Sequence, residues 1–301
     1  MSDTSILNDY IAGCIGGGAG MIAGHPLDTV KVQIQTQEYG GKYSSLMDCF
    51  KTVNQQKMSK GFFRGLSWPL LSSSYLNAIF FGTYGLVLKK LDYLDDLTHK
   101  PSYWTLGFAA ALATAPQLLF SVPVEVIKVS LQSQIPHSHD VPTTVSRKYY
   151  KGPFEALRDI AKTSGLRGLY RGFSTQFVRD TPAASMYMMS YTFFQYEAQL
   201  QQNVIPAQLT NFVGGGVAGV LSWLIIMPVD VIKSKIQADP AGRMYKGFWD
   251  CAKHLYSSGG IKVFFLGFVP MAVRAFPVNA VTLMVYSEVL EQLNRRTSIS
   301  S

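Results

Sequence analysis

Stretches without a single Asp, Glu, Lys or Arg recur along the chain, at residues 10–27, 65–88, 101–124, 181–196, 198–229 and 275–287. Most reach or approach the roughly 20 residues that carry a helix across a bilayer. Their apolar residues are interspersed with Gly, Ser, Thr and Asn. That dilution predicts helices that face one another and a wet interior as well as lipid. The pattern therefore predicts an all-α membrane protein with six transmembrane helices.

Composition supports this. Charged residues make up 15% of the 301 residues, against about 25% in soluble domains. The net charge of +8 forms no stripe with interleaved aromatics, so no nucleic-acid surface is expected. The basic residues sort by membrane side instead. Lys42, Lys51, Lys57, Lys60 and Arg64 follow the first window. Arg147, Lys148, Lys151, Arg158, Lys162, Arg167 and Arg171 follow the third, and Arg243, Lys246, Lys253 and Lys262 the fifth. The opposite side holds Lys89, Lys90, Lys100, Arg295 and Arg296, which places both termini on the face away from the three basic loops. Residues 1–10 contain no Lys or Arg and read as neither a secretory signal nor a cleavable transit peptide. Cys14, Cys49 and Cys251 have no metal-ligand spacing and read as reduced structural residues.

The chain repeats itself. PLDTVKVQIQ starts at Pro26, PVEVIKVSLQ at Pro123 and PVDVIKSKIQ at Pro228, at spacings of 97 and 105 residues. Downstream, Tyr43, Tyr150 and Tyr245 are each followed at +5 by Asp48, Glu155 or Asp250 and at +8 by Lys51, Arg158 or Lys253. Gly65, Gly172 and Gly267 then open the even-numbered windows. Each unit reads as a transmembrane helix, a basic loop, a short amphipathic helix and a second transmembrane helix. The second unit has an extra segment at 135–147, whose His137 and His139 have no further ligands beside them and read as solvated, with no metal site.

Pro26, Pro123 and Pro228 are predicted to kink the odd helices and bring them together at one end. Just beyond them lie Asp28 and Lys31, Glu125 and Lys128, Asp230 and Lys233. Charges inside a membrane require partners or water. A ring pairing Asp28 with Lys128, Glu125 with Lys233 and Asp230 with Lys31 satisfies all six and forms a gate. Gln35, Gln132 and Gln237, one turn on, are expected to brace it. The alternative is that the charges only terminate helices at the interface.

This tripled motif resembles the signature of the mitochondrial carrier family, and the resemblance covers essentially the whole chain. It implies a single domain spanning 1–301, with pseudosymmetric repeats at 5–95, 101–200 and 206–296 and short matrix helices. It further implies an inner-membrane carrier working by alternating access, with the ion-pair ring closing the matrix side and both termini in the intermembrane space. A monomer in contact with lipid, including cardiolipin at the matrix side, is expected, with no cofactor. Several positions depart from the family pattern. Lys57, Ser164 and Gly259 replace an acid, and the extra base after the motif lysine survives only as Lys235, with Gln33 and Ser130 elsewhere. Tyr84, Tyr191 and Tyr286 keep the aromatic of a second gate, but Gly85, Thr192 and Ser287 replace its acid.

Gating needs symmetry, whereas an asymmetric solute needs asymmetric contacts. Seven residues past the repeat glycines stand Ser72, Arg179 and Arg274, followed by Ser73, Asp180 and Ala275, and five past the first row by Asn77, Ala184 and Asn279. Arg179, Asp180 and Arg274 are the ionisable residues of these rows and the leading candidates for solute contacts. Adjacent helix positions point about 100° apart, so Arg179 and Asp180 are expected to pair poorly. Two arginines and one acid suit a solute carrying a carboxylate and an ammonium. Within the family, this Arg-Asp pair resembles amino-acid and carnitine carriers, and GHPLDTVK at Gly24 and RAFPVNA at Arg274 resemble the carnitine/acylcarnitine branch. Asn77, Ser72, Tyr187 and His25 are secondary candidates. Tyr75, Phe80, Tyr187 and Trp223 fit either an aromatic surround for a methylated ammonium or ordinary packing. Gly13, Gly16, Gly17, Gly18, Gly20 and Gly214 to Gly216 read as close helix packing, since no strand precedes them and no lysine follows in register. The rival readings are a proton or ion leak on the same fold and a membrane enzyme. No nucleophile, base and acid constellation supports the enzyme.

Overall fold

The computed structural model describes residues 3–37, 43, 45–56, 61–91, 102–134, 150–200 and 226–300. Lys42, Lys57, Lys60, Lys100, Arg147, Lys148, the 135–147 insertion with its histidines, Gly214 to Gly216 and Trp223 lie outside them, as do the side chains of Tyr191, Asn279 and Arg296. Helices dominate, and no strand occurs among the described residues. The long ones are α1 (Asp3–Thr36), α3 (Ser67–Lys90), α4 (Tyr103–Gln132), α6 (Phe173–Leu200) and α9 (Phe268–Ser300). Short helices lie between them: α2 (Leu46–Gln55), α5 (Pro153–Leu169), α7 (226–237) and α8 (Phe248–Gly259), followed by a 3-10 turn at Gly260–Phe265. Pro26 and Pro123 sit inside unbroken α1 and α4, and Pro228 lies early in the described part of α7.

The chain divides into two compact units, each of non-contiguous segments that do not follow the sequence repeats. The first comprises Met1–Ser74, Ile127–Ala156 and Leu266–Ser301, the second Tyr75–Val126 and Leu157–Phe265. In the first unit α1 lies along α9 on small residues. A Cβ on Gly20 would stand 1.9 Å from Thr282 Oγ1, and one on Gly16 2.8 Å from the Thr282 carbonyl. Asn8 Nδ2 donates to Asn294 Oδ1 at 2.9 Å near the far ends of the two helices. Val30, Ile34, Tyr43, Cys49, Val53 and Phe62 form a buried cluster beneath α2. In the second unit Tyr84, Leu88, Leu106, Ala109, Ala110 and Ala113 pack α3 on α4, and Ser185 Oγ of α6 donates to the Gly107 carbonyl at 2.8 Å. Side chains such as Leu71, Phe81, Trp104, Phe120 and Met284 remain exposed, the outward apolar surface that a bilayer covers.

The repeat is visible in backbone geometry. Gly65, Gly172 and Gly267 all adopt positive φ, at 81°, 79° and 84°, a region that disfavours side chains with a Cβ. Each is also pressed against an odd helix. A Cβ would lie 3.3 Å from the Lys128 carbonyl at Gly65, 3.3 Å from Gln237 Cγ at Gly172 and 3.2 Å from Gln35 Cγ at Gly267. The even helices thus start with their backbones against the ends of α4, α7 and α1 in turn.

Candidate functional site

The motif charges lie in two clusters, one per unit. In the first unit, Lys128 Nζ donates to Asp28 Oδ2 at 3.1 Å, and Arg274 Nε lies 2.8 Å from Asp28 Oδ1. Lys31 also acts electrostatically on Asp28, and its stem runs beside Gly267. One carboxylate is therefore set among three cations. In the second unit, Lys233 pairs with Glu125. Arg179 Nε meets Asp180 Oδ1 at 3.0 Å, and its Nη1 lies 3.4 Å from Asp230 Oδ1. This cluster holds three carboxylates and two cations.

Three expectations change. Arg179 and Asp180 do pair despite being neighbours, because the arginine arm is long enough for Nε to turn back although the two Cβ atoms diverge. Gln132 does not brace the Asp28–Lys128 pair. It lies a turn beyond, at the level of other groups, so its Nε2 donates to Thr29 Oγ1 at 3.0 Å and lies 3.4 Å from His25 Nε2. Gln237 likewise donates to Gln176 Oε1 at 2.8 Å, and Gln35 is buried beside Gly267. His25 is an interior residue, not an open solute contact: it is fully buried, bonded through Nε2 to the Arg64 carbonyl at 3.1 Å and stacked near Phe63. Ser72 is also buried, its hydroxyl donating to the Pro69 carbonyl at 3.2 Å. Asn77, Tyr75 and Tyr187 are exposed.

Sequence reasoning treats Arg64 and Arg171 only as loop charge. In the structure Arg64 Nη2 donates to the Tyr150 carbonyl at 2.7 Å, and Arg171 Nη2 donates to the Tyr245 carbonyl. Each ties the start of an even helix to the next repeat's short helix. At the third position Leu266 instead packs on the cluster containing Tyr43. The amides of Tyr43, Tyr150 and Tyr245 donate to Gln37, Gln134 and Asp239 at 2.8, 3.0 and 3.3 Å, all eleven residues past the motif proline. The signal that finds the arginines is their place directly before the repeat glycine.

Long helices with exposed apolar side chains and charges gathered just past the motif prolines fit a membrane protein. The model for "Mitochondrial carrier protein" matches residues 2–93, 99–199 and 207–297. The chain belongs to the mitochondrial carrier family, and its fold is the all-α, three-repeat carrier fold. It is 36% identical over 290 residues to "Solute carrier family 25 member 45" of Mus musculus, covering 94% of this chain and 98% of that protein. It is 35% identical over 293 residues to "Solute carrier family 25 member 47-B" of Danio rerio, covering 95% and 99%. To the "Mitochondrial basic amino acids transporter" of Homo sapiens it is 34% identical over 288 residues, covering 94% and 89%. The chain is thus an inner-membrane carrier of a small solute.

Proposed function

We propose that the carrier moves a small zwitterionic or cationic amino acid or carnitine-like solute by alternating access. Arg179, Asp180 and Arg274 are its main contacts. The observation that carries this reading lies within the second cluster, where an arginine and an acid stand side by side and match a solute with an anionic and a cationic end. Within the second cluster the Arg179–Asp180 pair at 3.0 Å is itself a zwitterion. A solute carboxylate can replace Asp180 on Arg179 while its ammonium replaces Arg179 on Asp180. The exchange leaves no bare charge in a low-dielectric interior, where an uncompensated ion is costly. The position-equivalent Ser72 adds no third guanidinium, which disfavours di- and triphosphates. The relative named for basic amino acids points the same way.

In this reading the Asp28–Lys128 and Glu125–Lys233 pairs belong to the matrix gate, which Asp230 and Lys31 complete. The basic loops lie on the matrix side and both termini in the intermembrane space. The test is uptake of labelled lysine, arginine and carnitine by purified protein in liposomes. Arg179→Ala and Asp180→Ala are expected to abolish uptake while thermal unfolding stays cooperative; normal uptake by both variants refutes the assignment.

A further inference from the structure

His25 is buried and titratable, yet it neither holds the solute nor pairs in the gate. Its ring lies wholly inside, with Nε2 3.1 Å from the Arg64 carbonyl. A carbonyl oxygen only accepts, so the neutral ring carries its hydrogen on Nε2 and presents Nδ1 as an acceptor. Nδ1 is buried with no hydrogen-bond partner among the described residues. Gln132 of α4 is its neighbour, with Nε2 3.4 Å from His25 Nε2. The Thr29 hydroxyl gives its hydrogen to the Phe62 carbonyl at 2.7 Å and so accepts from Gln132 Nε2 at 3.0 Å. That orientation leaves Gln132 Oε1 as a second buried acceptor with no donor among the described residues. What two neighbouring acceptors lack is a hydrogen, and buried polar atoms are costly until they have one.

The charges that act on the ring are Asp28, three residues on along α1, Lys128 on α4 and Arg274 on α9. The guanidinium of Arg64 turns away to the Tyr150 carbonyl. In the closed gate Lys128 and Arg274 both serve Asp28, at 3.1 and 2.8 Å. Opening takes Lys128 from Asp28, and a carboxylate in a low-dielectric interior loses one of these two cations at a cost. We propose that His25 is a proton-binding site of the transport cycle. Nδ1 takes a proton from matrix water as the gate opens and returns it as Lys128 comes back. The imidazolium stands in for the lysine near Asp28, and Nδ1 becomes the donor that the pocket lacks. One proton enters with each opening and one leaves with each closure, so charge balances over the cycle. This rests on the reading of Asp28–Lys128 as a gate pair and holds whichever solute is carried.

The experiment is exchange of labelled lysine or carnitine by purified protein in proteoliposomes, with equal pH on both faces. One bound proton shifts a two-state equilibrium by at most about tenfold per pH unit, so wild-type exchange should rise roughly three- to tenfold from about pH 8 to about pH 6. His25→Gln keeps an amide donor for the Arg64 carbonyl, does not titrate, and should give a flat profile. His254→Gln, on the exposed side of α8, should keep the wild-type slope. A flat wild-type profile, or an equal slope in His25→Gln, overturns the inference and leaves the solute reading standing. Lys128→Gln supplies a second measurement that needs no solute, because it leaves Asp28 without its lysine as the open gate does. A proton held more tightly by the folded variant than by the unfolded chain stabilises it as pH falls, so acidification from about pH 8 to about pH 6 should recover roughly half of the midpoint lost relative to wild type. Adding His25→Gln should abolish that recovery. No recovery in Lys128→Gln, or the same recovery in the double variant, overturns the inference. Wild-type protein that carries neither lysine nor carnitine refutes the solute reading alone, and the unfolding midpoints then decide the proton site.

Discussion

Asp28 is the sharpest point at which to perturb the structure, because two cations depend on it. Lys128 Nζ lies 3.1 Å from one oxygen and Arg274 Nε 2.8 Å from the other. At an effective dielectric near 20 each contact has a gross attraction of about 5–6 kcal/mol, most of it offset by the desolvation of the ions. What a truncation measures is the penalty left behind, about 3–5 kcal/mol when one partner of a buried pair is removed. Asp28→Asn strands both cations and should incur that full penalty. Lys128→Gln leaves Asp28 on Arg274 and removes one charged hydrogen bond, at about 1.5–3 kcal/mol. With about 1.6 °C per kcal/mol for 301 residues, Asp28→Asn lowers the unfolding midpoint by about 5–8 °C and Lys128→Gln by about half as much. Tryptophan fluorescence during heating in detergent measures both. A Lys128→Gln shift equal to or larger than that of Asp28→Asn refutes the shared-acid arrangement.

Gly20→Ala brings its Cβ to 1.9 Å from Thr282 Oγ1 and 3.0 Å from the Val278 carbonyl, and should cost about 1–3 kcal/mol. Adding Thr282→Ala should recover much of it, as read by the same midpoints. Arg64→Ala removes the donor to the Tyr150 carbonyl and should destabilise by about 1.5–3 kcal/mol, with faster proteolysis around α5 than in wild type. Burial on α8 pushes the Cys251 thiol up from 9.0 to about 12, so mass spectrometry should find it unlabelled by maleimide at neutral pH. Because the folded thiol keeps its proton above the pH at which the unfolded one loses it, its contribution is intact below about pH 9 and is lost as pH rises toward 12.

Much of this was legible because the repeat states each constraint three times. The tyrosine amide bonds to the residue eleven past each motif proline and the positive-φ glycines at 65, 172 and 267 recur in the structure in the same register, and two pairs, Asp28–Lys128 and Glu125–Lys233, join the acid of one motif to the base of the next. What was hidden depends on reach and on backbone partners. No residue type marks the Tyr150 carbonyl as the partner of Arg64. The Arg179–Asp180 pair follows from the length of one side chain rather than from helix spacing. Gln132 turns to Thr29 because α1 offers a hydroxyl there, whereas the equivalent positions in the other repeats are Val126 and Val231. His25 looked like a polar residue available to solute, and became interior because the Arg64 carbonyl needs a donor.

Carriage of a solute by exchange separates a carrier from an ion leak on the same fold. Purified protein in liposomes preloaded with unlabelled lysine or carnitine is given the labelled solute outside, with membrane current recorded in parallel. The expected result is uptake that depends on internal solute and disappears in Arg179→Ala and Asp180→Ala. Current without solute uptake, or equal uptake in the two variants, contradicts it.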